Sequence, residues 1–540
     1  MSLLPTEWRS PYHDPSNCGF SPQDVIGREN VSDLEVKWSL ELGPSETMPS
    51  PHVKSYLGSV ASVGVQTTPL VVEGTAYLAD GGGTVYAVDG DAGSLLWSFR
   101  CAGQDSPNPR LTHTLNHRGG LLYVLANDTT LYGLDPGDGT PVWKIEGTGA
   151  GIPGSVGAYA GRAAPAFCGG SAIFGLAAQG VGAQGYEASA RGFVASYDVA
   201  SGRLLWRWYA VPPAEEGAKG WDEEAHKGNI APYAGDWGSS DQAGGGSVWG
   251  TVAVDEAAGR VFFGTGNPDL FVYSDLAIPG PNLYTDCLVS LDAATGRMLW
   301  YHQTTPHDLL GWDVGWNTIL TEIETRGGRR KAVIAGAKNN HVYVLDAETG
   351  RPVYEPVRIG ENATLLNANR GNDADVSSTL KPGVYCPGHL GGINAPIAFA
   401  YNTIYAATQK VEQQAVVEEG TFRGKPMKTI KLRGTDSPRR SALYAIDAGS
   451  GEVRWNLPMQ NAYQSAAVTV SGGVVYATDR GGVLYMADAE TGRLIRSMAT
   501  GGVGRAGLSV GTTKGGRMRM FLPVSGGTTN RLLCLGLKGD

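Results

Sequence analysis

The six cysteines of this 540-residue chain (Cys18, Cys101, Cys168, Cys287, Cys386 and Cys534) lie far apart, so it has neither a C-x-x-C redox or metal pair nor a C-x-x-C-H haem attachment site. Spacing leaves disulfides open, with isolated buried thiols the simpler expectation. Basic runs are missing too, and a formal net charge of -9 argues against a nucleic-acid surface, which needs clustered Lys and Arg. No stretch of about 18 apolar residues occurs, which excludes a transmembrane helix. The opening "MSLLPTEWRSPYHD" has no basic region followed by an apolar core, so the chain reads as soluble, with no visible export signal.

What is abundant is glycine (78), with 23 tyrosines and 13 tryptophans, a balance that suits many short strands and tight turns better than helices. One phrase recurs: "TVYAVDGDAGSLLW" around Asp89, "TLYGLDPGDGTPVW" around Asp135, "FVASYDVASGRLLW" around Asp198 and "CLVSLDAATGRMLW" around Asp292. It returns as "HVYVLDAETGRPVY" around Asp346, "ALYAIDAGSGEVRW" around Asp447 and "VLYMADAETGRLIR" around Asp488. Gly always follows Asp by four, and Trp follows that Gly by four in five copies. Alternating apolar residues, an Asp/Gly turn and a second strand ending in a large aromatic describe a β-hairpin. The spacing of about 66 residues is enough for four strands, a period of the propeller kind.

"RMRMFLPVSGGTTNRLLCLGL" supplies an eighth unit without its own Trp, and "LEVKWSLEL" near 34–42 could complete its sheet and hide the open edges. The expectation is an all-β chain: one eight-bladed β-propeller of four-stranded antiparallel sheets spanning 1–540, with loop insertions near 212–243, 357–386 and 408–437.

The blade phrase resembles the docking motif of the pyrroloquinoline quinone (PQQ) dependent alcohol dehydrogenases, the quinoprotein propellers. Scaffold propellers similar to the outer-membrane assembly lipoprotein share it without a cofactor, so the site residues must decide. "YEASARGFVASYD" resembles the family segment with an acidic metal ligand, implying Glu187; "GGGSVWGTVAVD" resembles the one whose Trp floors the quinone, implying Trp249 with Ser247 beside it. "FFGTGNP" resembles the segment whose Asn binds the metal, implying Asn267 between two glycines that let a ligand approach. "TTPHDLLGWDVGWN" resembles the segment with the catalytic base, implying Asp313 both as base and at the metal. Further matches imply Lys338 at the quinone oxygens ("AGAKNNHVYVLD"), Asn394 ("GGINAPIAFAYNTIYAA"), and Gln66 and Arg118 at cofactor-facing positions.

The residue types suit the chemistry. Glu187 and Asn267 with the cofactor's own atoms make a hard oxygen-rich site for Ca²⁺, and Asp313 is the type of group that takes a hydroxyl proton. Lys338 stabilises charge on a reduced quinone oxygen, and Trp249 offers a flat face. Taken singly, Glu187, Trp249, Asp313 and Lys338 are ordinary surface or core residues; together these four are expected on different repeats, in the order the resemblance implies. Three departures stand out. Thr112 and His113 occupy the place of the family's adjacent cysteines, and "AAQGVGAQGY" before Glu187 offers Gln179 and Gln184 as rivals. Gly315 stands where lanthanide-using relatives have a second aspartate, favouring Ca²⁺, and Asp308 remains a rival base. The resemblance implies oxidation of a small or polymeric alcohol, electron transfer to a separate c-type cytochrome or other acceptor, and a periplasmic or extracellular location. His307 is expected to be structural.

Overall fold

The computed structural model describes residues 7–44, 64–101, 115–148, 159–178, 190–212, 236–237, 244–268, 280–361, 383–422, 425–463, 466–526 and 529–540. Among them are eight blades, each with four strands in antiparallel succession. The first is Leu70–Val72, Thr75–Ala79, Thr84–Asp89 and Leu95–Arg100. Blade 4 is Ala253–Asp255, Arg260–Gly264, Cys287–Asp292 and Met298–Gln303, and blade 5 is Ile319–Thr325, Gly328–Gly336, His341–Asp346 and Val357–Arg358. In the eighth, Ser509–Thr512, Met518–Gly526 and Thr529–Leu537 are joined by Leu34–Pro44, which pairs antiparallel with the last strand of the chain. The fold is an all-β, eight-bladed propeller.

The repeated phrase shows why the blades pack as they do. At all seven positions the glycine N–H donates to the carbonyl of the Asp four residues earlier, at 2.8–2.9 Å. Asp89 Oδ1 accepts from the N–H groups of Asp91 and Ala92, a side-chain-closed turn. The glycine takes a left-handed φ, +73° at Gly296, and at five of the seven positions it lies under a tryptophan of the preceding blade: a Cβ on Gly296 would sit 2.6 Å from the Trp206 ring. Trp206 Nε1 also donates to Ala293 O at 2.9 Å, and Trp97, Trp300 and Trp455 repeat this contact one blade further on. Trp38 does the same across the seam, lying on Gly93 and donating to Gly90 O at 3.3 Å, so blade 8 is fastened to blade 1. Where the phrase lacks Trp, Tyr354 reaches Ala448 O (3.1 Å), and Arg496 reaches the carbonyls of Ser32 and Leu34 (2.6 Å each).

Two features were not expected. The stretch near 408–437 is not a loop: it contains a β-hairpin, Gln413–Phe422 with Lys425–Gly434, which takes Gly383–Tyr385 as a third strand. Residues 362–382 of the 357–386 insertion, and all of 212–243 except 212 and 236–237, lie outside the described residues. The second feature is the N-terminal segment, which crosses the innermost strands of several blades. Trp8 exchanges two hydrogen bonds with Val71 (2.8 Å each), and the carbonyls of Arg9, Ser16, Cys18 and Gly19 accept from His117, Leu320, Phe399 and Val470. Inner-strand edges are thereby paired. All six cysteines are unbridged, and no helix among the described residues is long and apolar enough to cross a membrane.

Candidate active site

Strands in a blade alternate in direction, so the start of the first, the end of the second, the start of the third and the end of the fourth share one rim. Trp249 precedes the first strand of blade 4, Asn267 follows its second, Asp286 precedes its third, and Asp308 and Asp313 follow its fourth. Lys338 follows the second strand of blade 5, and Asn394 precedes the first of blade 6. Topology alone collects these residues at one end.

Asp313 is buried, its Oδ2 lying 2.9 Å from Lys338 Nζ while its Oδ1 accepts the backbone N–H of Asn267 at 3.2 Å. Lys338 N–H donates to the Asp313 carbonyl (3.1 Å), fixing the two loops to each other. The Lys338 ammonium stands 5.9 Å from the centre of the half-buried Trp249 ring. That ring is held between close glycines, since a Cβ on Gly315 would approach to 2.4 Å, and Trp316 meets it edge-on at 4.8 Å. Trp316 Nε1 in turn donates to Asn394 Oδ1 (3.0 Å), while Asn394 Nδ2 donates to Leu390 O (3.2 Å). Asn394 therefore orients the aromatic wall. Asn267 uses its Nδ2 on Pro268 O (2.8 Å), leaving its carboxamide oxygen as a hard donor.

Asp308 holds the loop that carries Asp313: its Oδ1 accepts from Leu310 and Gly311 (2.8 and 2.9 Å) and its Oδ2 from Trp312. Burial pushes its pKa up to about 6 against the opposing pull of these donors. Leu310 and Trp312 pack with Tyr385, Ala415 and Leu432, so the inserted hairpin braces the same loop. His307 Nδ1 lies 2.8 Å from Gly280 O, a structural contact.

Sequence reasoning passed over Asp286, Trp316 and the bracing hairpin. One carboxylate oxygen from each of the buried Asp286, Asp308 and Asp313 lies within 4.8 Å of the other two. Burial pushes Asp286 well above the usual carboxylate range, the neighbouring Asp308 and Asp313 add to this, and Lys338 opposes it. A signal was present: Asp286 stands immediately ahead of the strand Cys287–Asp292, hence on the same rim.

Arg118 requires a correction. It ends the first strand of blade 2, just before the Gly119–Gly120 turn, and so lies at the opposite rim. There it pairs with Glu256 (3.0 Å), which follows the first strand of blade 4, and lines a cavity of about 600 Å³ against the N-terminal segment. Gln66 is buried ahead of the first strand of blade 1, on the site rim, and Ser247 is half-buried beside Trp249, its carbonyl accepting from Gly266 N–H (2.8 Å). Glu187, Gln179, Gln184, Thr112 and His113 lie outside the described residues. The donors present fit the groups the family uses: a supported flat ring for a planar ligand, and hard oxygens with an orphaned buried carboxylate for a cation.

A family model described as "Glucose/ethanol/alcohol dehydrogenase, beta-propeller domain" matches residues 8–361, and this chain belongs to that family, the PQQ-dependent quinoprotein alcohol dehydrogenases. A second model, "Outer membrane protein assembly factor BamB", matches residues 437–513, within the blade repeats. The chain is 26% identical over 530 residues to the quinohemoprotein alcohol dehydrogenase of Comamonas testosteroni, covering 92% of this chain and 69% of that protein. It is 27% identical to the dehydrogenase subunit of the alcohol dehydrogenase (quinone) of Gluconacetobacter polyoxogenes, covering 84% of this chain and 61% of the subunit. A crystal structure of the Comamonas testosteroni enzyme superimposes with a TM-score of 0.81 at 22% identity, covering 99% of this chain and 81% of that one. A europium-containing methanol dehydrogenase does so with 0.79 at 18% identity, covering 99% of both chains.

Proposed function

We propose that this chain is a PQQ-dependent dehydrogenase that oxidises an alcohol to an aldehyde or ketone. The observation that carries the reading is the buried Asp313–Lys338 pair at 2.9 Å beside the supported face of Trp249. PQQ, when bound, supplies the two-electron acceptor. Asp313 is the base that takes the hydroxyl proton, a role that requires a fixed position first, and its loop is fixed by Asp308. Lys338 offers positive charge to the cofactor's oxygens. Trp249 is the floor, with Gln66, Ser247 and Asn394 around the cofactor. Glu187, Asn267 and Asp313 would hold the cation, for which the oxygen donors suit Ca²⁺. Electrons would leave to an external c-type cytochrome or similar acceptor, and the enzyme would work in the periplasm or outside the cell.

Dye-linked alcohol oxidation after adding PQQ and Ca²⁺ to the purified chain tests this. Turnover that requires both is expected. No PQQ binding and no turnover with any alcohol would leave a propeller that serves as a binding scaffold.

A further inference from the structure

Asp286 is fully buried, and neither carboxylate oxygen has a hydrogen-bond partner among the described residues. Its backbone is held on all sides: its N–H donates to Gly266 O (3.0 Å), and its carbonyl accepts from Thr304 N–H (2.7 Å) and Thr304 Oγ1 (2.8 Å). The adjacent Thr285 hydroxyl donates to Asn282 O (2.6 Å). The φ of +51° is left-handed, a conformation that aspartate tolerates better than most side chains. An isolated buried carboxylate is costly unless something compensates it.

Geometry supplies the compensating species. Two oxygens bound to one Ca²⁺ at 2.3–2.6 Å can be no more than about 5 Å apart, and one carboxylate oxygen from each of Asp286, Asp308 and Asp313 meets that limit, the three lying within 4.8 Å of one another. Three carboxylates facing the single ammonium of Lys338 leave a charge that a divalent ion balances. Asp308 and Asp313 accept three and two described donors, which leaves each a lone pair for a cation.

We propose that Asp286 is a cation ligand, holding a hard divalent ion of the Ca²⁺ type together with Asp308 and Asp313. This deepens the reading above and rests on it only in placing a cation beside Asp313; the site forms without PQQ. The test is a CaCl₂ titration by calorimetry of the full chain stripped with EDTA, with and without PQQ, for wild type and Asp286→Asn. Wild type should bind Ca²⁺ without PQQ, and Asp286→Asn should weaken binding at least tenfold with the far-UV spectrum unchanged. As a measurement independent of the variant's folding, Tb³⁺ soaked into wild-type crystals should give an anomalous peak at bonding distance from the Asp286 carboxylate. Equal affinity in Asp286→Asn, no Ca²⁺ binding by wild type, or a Tb³⁺ peak remote from Asp286 each overturns the proposal. Asp286-dependent Ca²⁺ binding in a chain that neither binds PQQ nor oxidises alcohols would sustain the site while removing the proposed activity.

Discussion

Lys338 Nζ and Asp313 Oδ2 stand 2.9 Å apart, each side chain 8% exposed, the ammonium brought by blade 5 and the carboxylate by the loop leading into it. Removing one partner leaves the other charged and buried, which costs about 3–5 kcal/mol. Lys338→Met should lower the urea midpoint accordingly, while double replacement by Met and Leu should recover most of the loss. A double-mutant cycle in urea measures the coupling.

Asp313→Asn keeps the shape of the side chain and its contact with Asn267 N–H, but removes the proton acceptor. Turnover should fall by about 10²–10⁴-fold with PQQ still bound, read by steady-state kinetics beside equilibrium dialysis. Retained activity would return the base to another group. Asp308 is a poor substitute, because three backbone N–H groups of its own loop, from Leu310, Gly311 and Trp312, hold its carboxylate in place.

Gly296→Ala should destabilise the ring. Its φ is +73°, and the added methyl would meet the Trp206 ring at 2.6 Å. Left-handed backbone costs a non-glycine residue about 1–2 kcal/mol, and displacement of Trp206 adds to it. Gly259→Ala shares a positive φ but meets nothing within 4 Å, so it should lose only the backbone part. Comparison of the two midpoints separates the terms.

Acid should loosen the N-terminal segment. Arg9 Nη1 lies 2.7 Å from His117 Nδ1, and a guanidinium can only donate, so His117 is neutral with its proton on Nε2. Burial and the Arg9 charge push its pKa down to about 4. Between about 4 and 6.5 the unfolded chain binds the extra proton, so stability present above pH 6.5 drains as pH falls through that window, by up to about 3 kcal/mol. His117→Phe should flatten this slope in denaturant midpoints collected from pH 4 to 7.

The architecture was legible because its signal is redundant. Seven Asp-turn-Gly phrases each encode a hairpin and a contact with a neighbouring blade, so a missing Trp at Tyr354 or Arg496 does not hide the period. Asp313, Lys338, Trp249 and Asn267 were proposed from local motifs, and topology places them on one rim. Arg118 misled because it lies only three residues from Leu115 at the other end of its strand, and a motif does not say which end of a strand faces the site. Asp286 escaped because its meaning lies in a missing partner, which only three-dimensional packing reveals. The hairpin at Gln413–Gly434 escaped because its polar composition looks like loop, although it pairs along ten residues of each strand.

The seam between Leu34–Pro44 and Thr529–Leu537 has a consequence for synthesis. Leu34–Pro44 is made long before Thr529–Leu537, so it stays unpaired until that mate has been synthesised. The Trp8–Ser21 stretch is in the same position, since its partners reach as far as Val470 and Ser471. Closing the ring is therefore a long-range step that comes late in folding, and whatever shields an unfinished sheet margin in the cell must stay with this polypeptide until Thr529–Leu537 is in place.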